Sequence, residues 1–190
     1  HGMLKALQDD SGADWIRVFY FYPDDLTEDV MDLMASSDKI CKYLDMPVQH
    51  FSDRVLKRMN RRATGELIHS KIKTLREKIP GIVLRTSIIV GFPGETQEDF
   101  EKTSALCDRV GFSGMHVFPY STRPGTSAAH FSDKVGPQAK ASRMQELLSL
   151  ARTQAAAFRE RRVGSVRPVL WEAAKGPTSP ETWVGLTDNY

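Results

Sequence analysis

What most constrains this chain is a strand-then-helix alternation that repeats four times along it. Trp15 to Tyr22 is rich in aromatic and β-branched residues and stops at Pro23, which reads as a strand. Thr27 then offers a hydroxyl N-cap ahead of Val30, Met31, Leu33 and Met34, spaced as one face of a short amphipathic helix. Tyr43 to Gln49 is a second strand, weakened by Pro47, which cannot donate to a ladder. Ser52 or Asp53 caps a helix carrying Val55, Leu56 and Met59, and a longer helix runs from about Gly65 to Lys78 until Pro80-Gly81 ends it. Ile82 to Val90 is a third strand, closed by Gly91-Phe92-Pro93-Gly94. Thr96, with Asp99 three residues on, is a capping-box pattern that opens a helix through Phe100, Leu106 and Val110. Gly114 to Tyr120 is a fourth strand, and Gln138 to about Arg162 a long helix. Four successive βα units imply parallel strands with right-handed crossovers, as in a barrel or a doubly wound sheet. A parallel barrel normally has more strands than four, and the chain opens on a helical stretch, Met3 to Leu7, so a longer parent protein is expected.

The pattern changes after Val163-Gly164. Val166 to Glu172 and Thr182 to Thr187 flank a Pro/Gly/Thr/Ser loop and read as a β-hairpin or meander. Two strands alone are marginal in water, so this is expected to be the beginning of a small β module cut short at Tyr190. Hydrophobic residues at 41% and charged residues at 26% argue for a soluble globular chain and against disorder. No apolar run approaches the roughly 18 residues of a membrane helix. The segment His1-Gly2-Met3-Leu4-Lys5 lacks the basic and apolar regions of a signal peptide. A net charge of +2, from 26 Lys+Arg against 24 Asp+Glu, neither demands nor forbids a nucleic-acid partner. Only two cysteines occur, Cys41 and Cys107, far apart; they exclude a disulfide scaffold and any cluster or zinc site built from these cysteines alone. A reducing cytoplasm is the expected compartment.

Ligands of parallel α/β folds sit at the C-terminal ends of the strands. Here those ends read Tyr22-Pro23, Pro47-Val48-Gln49-His50, Gly91-Phe92-Pro93-Gly94-Glu95-Thr96 and Phe118-Pro119-Tyr120-Ser121. The Gly-Phe-Pro-Gly loop either lets backbone approach a ligand beside a helix N-terminus or makes a tight βα turn and no more. Gln49 can bind ribose hydroxyls or an amino-acid head group, or satisfy a loop carbonyl. His50 is a base or ligand only if partners exist, and a lone histidine is commonly structural. The run Lys57-Arg58-Met59-Asn60-Arg61-Arg62 is either a solvated face or the source of an arginine, Arg61 or Arg62, that clamps a carboxylate or phosphate. Met31, Met34, Met46 and Met59 read as core filler.

Four stretches, taken in order, carry a resemblance to a family. They are Tyr43 to His50, Leu56 to Arg62, the strand and loop from Leu84 to Thr96, and Val117 to Thr126. Together they resemble the radical S-adenosylmethionine (SAM) methylthiotransferases over nearly the whole chain. The resemblance implies an α/β fold, part of a six-stranded (β/α)6 partial TIM-type barrel. Residues 1–163 would hold its last four βα units, and 164–190 the start of a small all-β TRAM domain. It implies SAM as cofactor and two 4Fe-4S clusters in the full-length protein. The C-x-x-x-C-x-x-C motif for one cluster is absent from this sequence, and Cys41 and Cys107 do not match it, so this stretch alone is expected not to cleave SAM.

By resemblance, Gln49 contacts the nucleoside and Arg61 pairs with the methionine carboxylate. Ser87 reaches the ribose from a position that is often acidic elsewhere. Ile89 packs on adenine, and backbone around Phe118 to Tyr120 hydrogen-bonds its edge. Glu95 either orients the loop before it or favours the N-terminus of the next helix, the second being preferred here. Trp15 to Pro23 and Tyr43 to His50 resemble the branch that modifies an aspartate of a small-subunit ribosomal protein. Met115 to Ser121 and Val184 to Tyr190 resemble the tRNA adenosine branch. The barrel motifs are given more weight because they line the active-site face. A reductant such as flavodoxin or ferredoxin is a further implied partner, and a membrane is not. The rival of another class is a non-catalytic module that binds RNA or a ribosomal protein through its basic cluster and β tail.

Overall fold

The computed structural model describes residues 1–175 and 182–189. In chain order the elements are α1 (Gly2–Asp10), β1 (Ile16–Val18), α2 (Glu28–Ser36), β2 (Ile40–Asp45), α3 (Asp53–Arg58), α4 (Gly65–Lys78) and β3 (Val83–Val90), followed by α5 (Gln97–Val110), β4 (Gly114–Pro119), α6 (Pro137–Glu160), β5 (Val169–Lys175) and β6 (Thr182–Thr187). Strands β1 to β4 form one parallel sheet in sequence order, and β5 pairs antiparallel with β6. A sheet that adds each new strand beside the last is the arrangement of one arc of a βα barrel.

Local signals fix the helix starts. Thr27 Oγ1 accepts from the Val30 amide and Thr64 Oγ1 from Leu67, while Thr96 and Asp99 complete a reciprocal capping box. Gly111, at φ 63°, closes α5 in the left-handed conformation that glycine tolerates best. Ser52 stands at the N-cap of α3 without capping it; its hydroxyl donates instead to Asp99 at 2.5 Å.

The two faces of the sheet differ. Leu84, Thr86, Ile88 and Val90 of β3 are fully buried, and their face packs on Val30, Met34, Ile68, Phe100 and Leu147 from four of the helices. Arg85, Ser87 and Ile89 point the other way and are half-buried, with His116 and Phe118 of β4 beside them and exposed. At its lower end this inner face carries a small apolar cluster of Cys41, Tyr43 and Val83, packed by Trp15 and Phe158.

The first two strands are placed differently from the sequence reading. β1 is only three residues long, and Tyr20 has φ 53°, a left-handed conformation incompatible with a continuing ladder. β2 begins three residues earlier than read and stops at Asp45. Beyond it the Met46 amide donates to Arg85 O at 2.9 Å, and Pro47 has no amide to give. The hairpin strand starts at Val169, after Pro168, rather than at Val166. The loop read between the hairpin strands, 176–181, and Tyr190 lie outside the described residues. Among the described residues no helix is long and apolar enough to cross a membrane.

Candidate functional site

Gln49 is the pivot of the site. After Pro47 the chain returns to the sheet for one residue: the Gln49 amide donates to Ser87 O and its carbonyl accepts from the Ile89 amide, both at 2.9 Å. Gln49 does this at φ 68°, a conformation that costs a non-glycine residue about 1–2 kcal/mol. The strain is held by Thr86, whose hydroxyl accepts from the Val48 amide and donates to Met46 O. Among the described residues the side-chain amide of Gln49 has no protein partner. It lines both of two adjoining cavities at the C-terminal edge of the sheet.

The larger cavity, of 490 Å³, is walled by Gln49, Ser87, Ile89, Phe118 and Tyr120. The second, of 370 Å³, shares Gln49, Ile89 and Phe92 with it and reaches Arg58, Arg61 and Thr126 to Ala128. All six residues proposed from sequence therefore meet at one place: Gln49, Arg61, Ser87, Ile89, Phe118 and Tyr120. The Tyr120 amide is spent on Val90 O at 2.8 Å, and Pro119 has none, so these two residues have only their carbonyls to offer the edge of a base. The Tyr120 ring packs edge-on against Phe92 at 5.1 Å, and its buried hydroxyl has no hydrogen-bond partner among the described residues.

The basic run after α3 divides by role. Arg54 pairs with Asp99 and donates to Gly94 O, and Arg58 donates to Pro93 O at 3.1 Å, pairs with Asp133 at 2.7 Å and lies over the Phe131 ring. These two arginines tie α3 to the Gly-Phe-Pro-Gly loop. Arg61 has no acidic partner among the described residues. Its guanidinium, at the wall of the second cavity, lies 4.5 Å over the centre of the Tyr22 ring, a cation–π contact that leaves its N–H groups for an anion. Lys57 and Arg62 are exposed, as a solvated face would be.

Glu95 overturns its preferred sequence reading. It is completely buried, and its Oε2 accepts from the amides of Gly91 and Phe92, the latter at 3.0 Å. Its Oε1 faces Arg143 at 3.4 Å and His50 Nε2 at 3.9 Å. Glu95 therefore orients the loop from inside, and Arg143, from α6, supplies the countercharge that its burial needs. His50 is structural: Nδ1 accepts from the Ser52 amide at 2.9 Å beneath Thr103, and the ring is buried. Asp99 gathers Ser52, Arg54 and Thr96 on one carboxylate. Burial pushes its pKa up, but the hydrogen bonds from those three partners outweigh it and hold the carboxyl well below the usual range.

Neither cysteine suits an iron–sulfur cluster. Cys107 is sealed in the core of α5, where burial pushes its thiol up to about 12, and Cys41 is buried separately on β2, its thiol also raised by burial. Among the described residues no group of three or more His, Cys, Asp or Glu side chains could hold a metal ion. Sequence reasoning missed Arg58 as a cavity residue and Tyr22 as the ring against Arg61. Tyr22 was visible only as a strand end, and the pairing of Arg58 with Asp133 spans 75 residues.

The model of the Radical SAM superfamily matches residues 2–107. The chain belongs to that superfamily. It is 39% identical to the ribosomal protein uS12 methylthiotransferase RimO of Clostridium novyi over 170 residues, 90% of this chain and 38% of that protein. It is 48% identical to the protein of the same name from Geotalea uraniireducens over 154 residues, 81% of this chain and 34% of that protein. The chain thus spans well under half the length of the curated relatives it matches. Among solved structures, the radical SAM enzyme coproporphyrinogen III oxidase (HemN) from Escherichia coli superposes with a TM-score of 0.61 at 23% identity, over 75% of this chain and 37% of that one, a likeness of fold.

Proposed function

We propose that this chain is the SAM-holding part of a radical SAM methylthiotransferase, one that adds a methylthio group to an aspartate of a small-subunit ribosomal protein. The observation that carries the reading is the convergence of Gln49, Arg61, Ser87 and Ile89 on adjoining cavities, with the unpaired groups that SAM requires. Arg61 offers a guanidinium fork to the methionine carboxylate from its place over the Tyr22 ring. Gln49 offers a donor and an acceptor to the nucleoside, Ser87 a hydroxyl to the ribose, and Ile89 an apolar surface to the base. Glu95 and Arg58 hold the loop that closes one side. When bound and reduced, SAM supplies the oxidising power that removes a hydrogen atom from an unactivated carbon; the protein's part is to orient it and exclude water.

The residues of this chain fit SAM and do not fit an iron–sulfur cluster, so cluster ligands are assigned to the rest of the protein. Residues 1–163 are read as the last four βα units of the barrel and 164–190 as the start of a TRAM domain. The parent enzyme works in the cytoplasm with a flavodoxin or ferredoxin as reductant. The names of the 37–48% identical relatives support a ribosomal-protein substrate over tRNA.

The test uses the full-length gene product purified without oxygen. Iron and sulfide for two clusters, deoxyadenosine release from SAM under reductant, and a methylthio mass shift on the small-subunit protein are expected. Arg61→Ala and Gln49→Ala should each raise the Kd for SAM, the first by about 30-fold or more, while iron content holds. A methylthio group on tRNA and none on protein would transfer the assignment to the tRNA branch. No iron and no SAM turnover would leave a binding module.

A further inference from the structure

A third cavity, of 350 Å³, lies on the inner face of the sheet directly below the SAM cavity and shares Tyr20, Ser87 and Phe118 with it. Its floor is charged. Asp45 at the end of β2 is in register with Arg85 of β3, and Ser87 with His116 of β4, so all four side chains project to one face. Arg85 lies across β4 because its neighbour there is Gly114: a Cβ at that position would stand 3.1 Å from Arg85 Nε. The guanidinium so placed contacts His116 Nε2 and donates to Tyr43 Oη at 3.3 Å, and the His116 ring stacks on Phe118. A donating guanidinium makes Nε2 the acceptor, which leaves the imidazole proton on Nδ1. Asp45 is 94% buried, at 6% exposure, yet its Oδ1 has no hydrogen-bond partner among the described residues, a costly arrangement unless something is meant to donate to it.

We infer that this cavity is the substrate pocket, with Arg85 recognising the carboxylate of the target aspartate and Asp45 accepting from a main-chain N–H of the same peptide. The inference rests on the reading above that the substrate is a protein aspartate. The shared walls support it, since the carbon that loses hydrogen must lie against the cofactor, and only a pocket bordering the SAM cavity can put it there. The charge supports it too. A planar guanidinium oriented by Tyr43 and His116 is built for a carboxylate, and the adjacent Asp45 needs a donor, which a peptide N–H supplies and a nucleic-acid phosphate does not. His116 is a positioning residue that holds the fork through Nε2.

The experiment uses the full-length, cluster-loaded enzyme and two peptides spanning the target site, one with its aspartate and one with asparagine in its place. The wild type should prefer the aspartate peptide by about 100-fold or more in kcat/KM. Arg85→Gln should raise KM for the aspartate peptide by about 100-fold and reduce the Asp/Asn preference to within about threefold, while the Kd for SAM moves by less than about threefold. Asp45→Asn should raise KM for both peptides alike, leaving the Asp/Asn preference in place. If Arg85→Gln fails to fold, Arg85→Lys, which keeps the charge and loses the fork, should show an intermediate preference. An Arg85→Gln enzyme that still prefers aspartate, or one whose SAM affinity collapses with its peptide affinity, overturns the pocket while leaving the proposed function standing. A wild type that modifies no peptide overturns both.

Discussion

The two faces of β3 have the same backbone and opposite duties. Leu84, Thr86, Ile88 and Val90 are sealed against the helices, and Arg85, Ser87 and Ile89 alternate with them into the cavities. The buried face is continuous and almost wholly apolar; its one polar member, Thr86, spends its hydroxyl on shaping the Gln49 turn. The inner face turns Ser87 to the cavities and sets the Arg85 guanidinium against Tyr43 and His116. Stability and the proposed recognition are thus separated by residue parity within a single strand, and cavities are obtained on one face without hollowing the core.

The largest test of that separation is Ile88→Ala against Ile89→Ala. Ile88 is fully buried, so its truncation should cost about 3–4 kcal/mol, read as a shift in the urea denaturation of the full-length protein. Ile89, half-buried at a cavity wall, should cost about 1 kcal/mol and instead weaken SAM binding. Equal losses of stability at the two positions would show that the inner face is also core, and the parity argument would fall.

A middle-sized effect belongs to Asp99, which joins the two halves of the scaffold beneath the site by holding α3, through Ser52 and Arg54, to the start of α5. Asp99→Asn should cost about 2 kcal/mol at neutral pH, since it loses charge-assisted hydrogen bonds and half of the capping box. Because the folded-state pKa is depressed, this stabilisation is complete above the ordinary carboxylate pKa of about 4 and is lost as pH falls through that value toward the lower folded one. The gap between wild type and variant should therefore narrow in acid. A gap that stays constant from neutral pH to about pH 3 would mean that the Asp99 charge contributes nothing.

What could be read in advance follows from range. The limits of α4 and the capping box of α5 were legible because Thr64, Thr96 and Asp99 act within one turn of chain. The end of β1 and the return of the chain at Gln49 were not, since Tyr20 and Gln49 take positive φ for tertiary reasons that no propensity expresses. Glu95 looked like an ordinary acid at a helix start; its burial depends on Arg143, 48 residues on, and on His50. Arg61 and Arg62 were chemically equal on paper, and only the approach of Tyr22 and the cavity separates them. The site residues named by family resemblance converged, whereas the charged floor formed by Asp45, Arg85 and His116 depends on register across three strands and on the missing side chain of Gly114.

The smallest effect is the most discriminating, because it should carry the opposite sign in stability and in binding. Gln49 occupies a left-handed conformation with no side-chain partner among the described residues, so the fold gains nothing from its amide and bears the strain of its Cβ. Gln49→Gly removes that strain, about 1–2 kcal/mol, against about 0.5–1 kcal/mol of added chain entropy in the unfolded state. The balance is a stability unchanged or raised by up to about 1.5 kcal/mol. The same change deletes the donor and acceptor offered to the nucleoside, so the Kd for SAM should rise by about tenfold. Calorimetric melting beside equilibrium binding on one preparation separates the two. A residue kept for structure would lose stability on becoming glycine, whereas a residue kept for its ligand should lose only affinity.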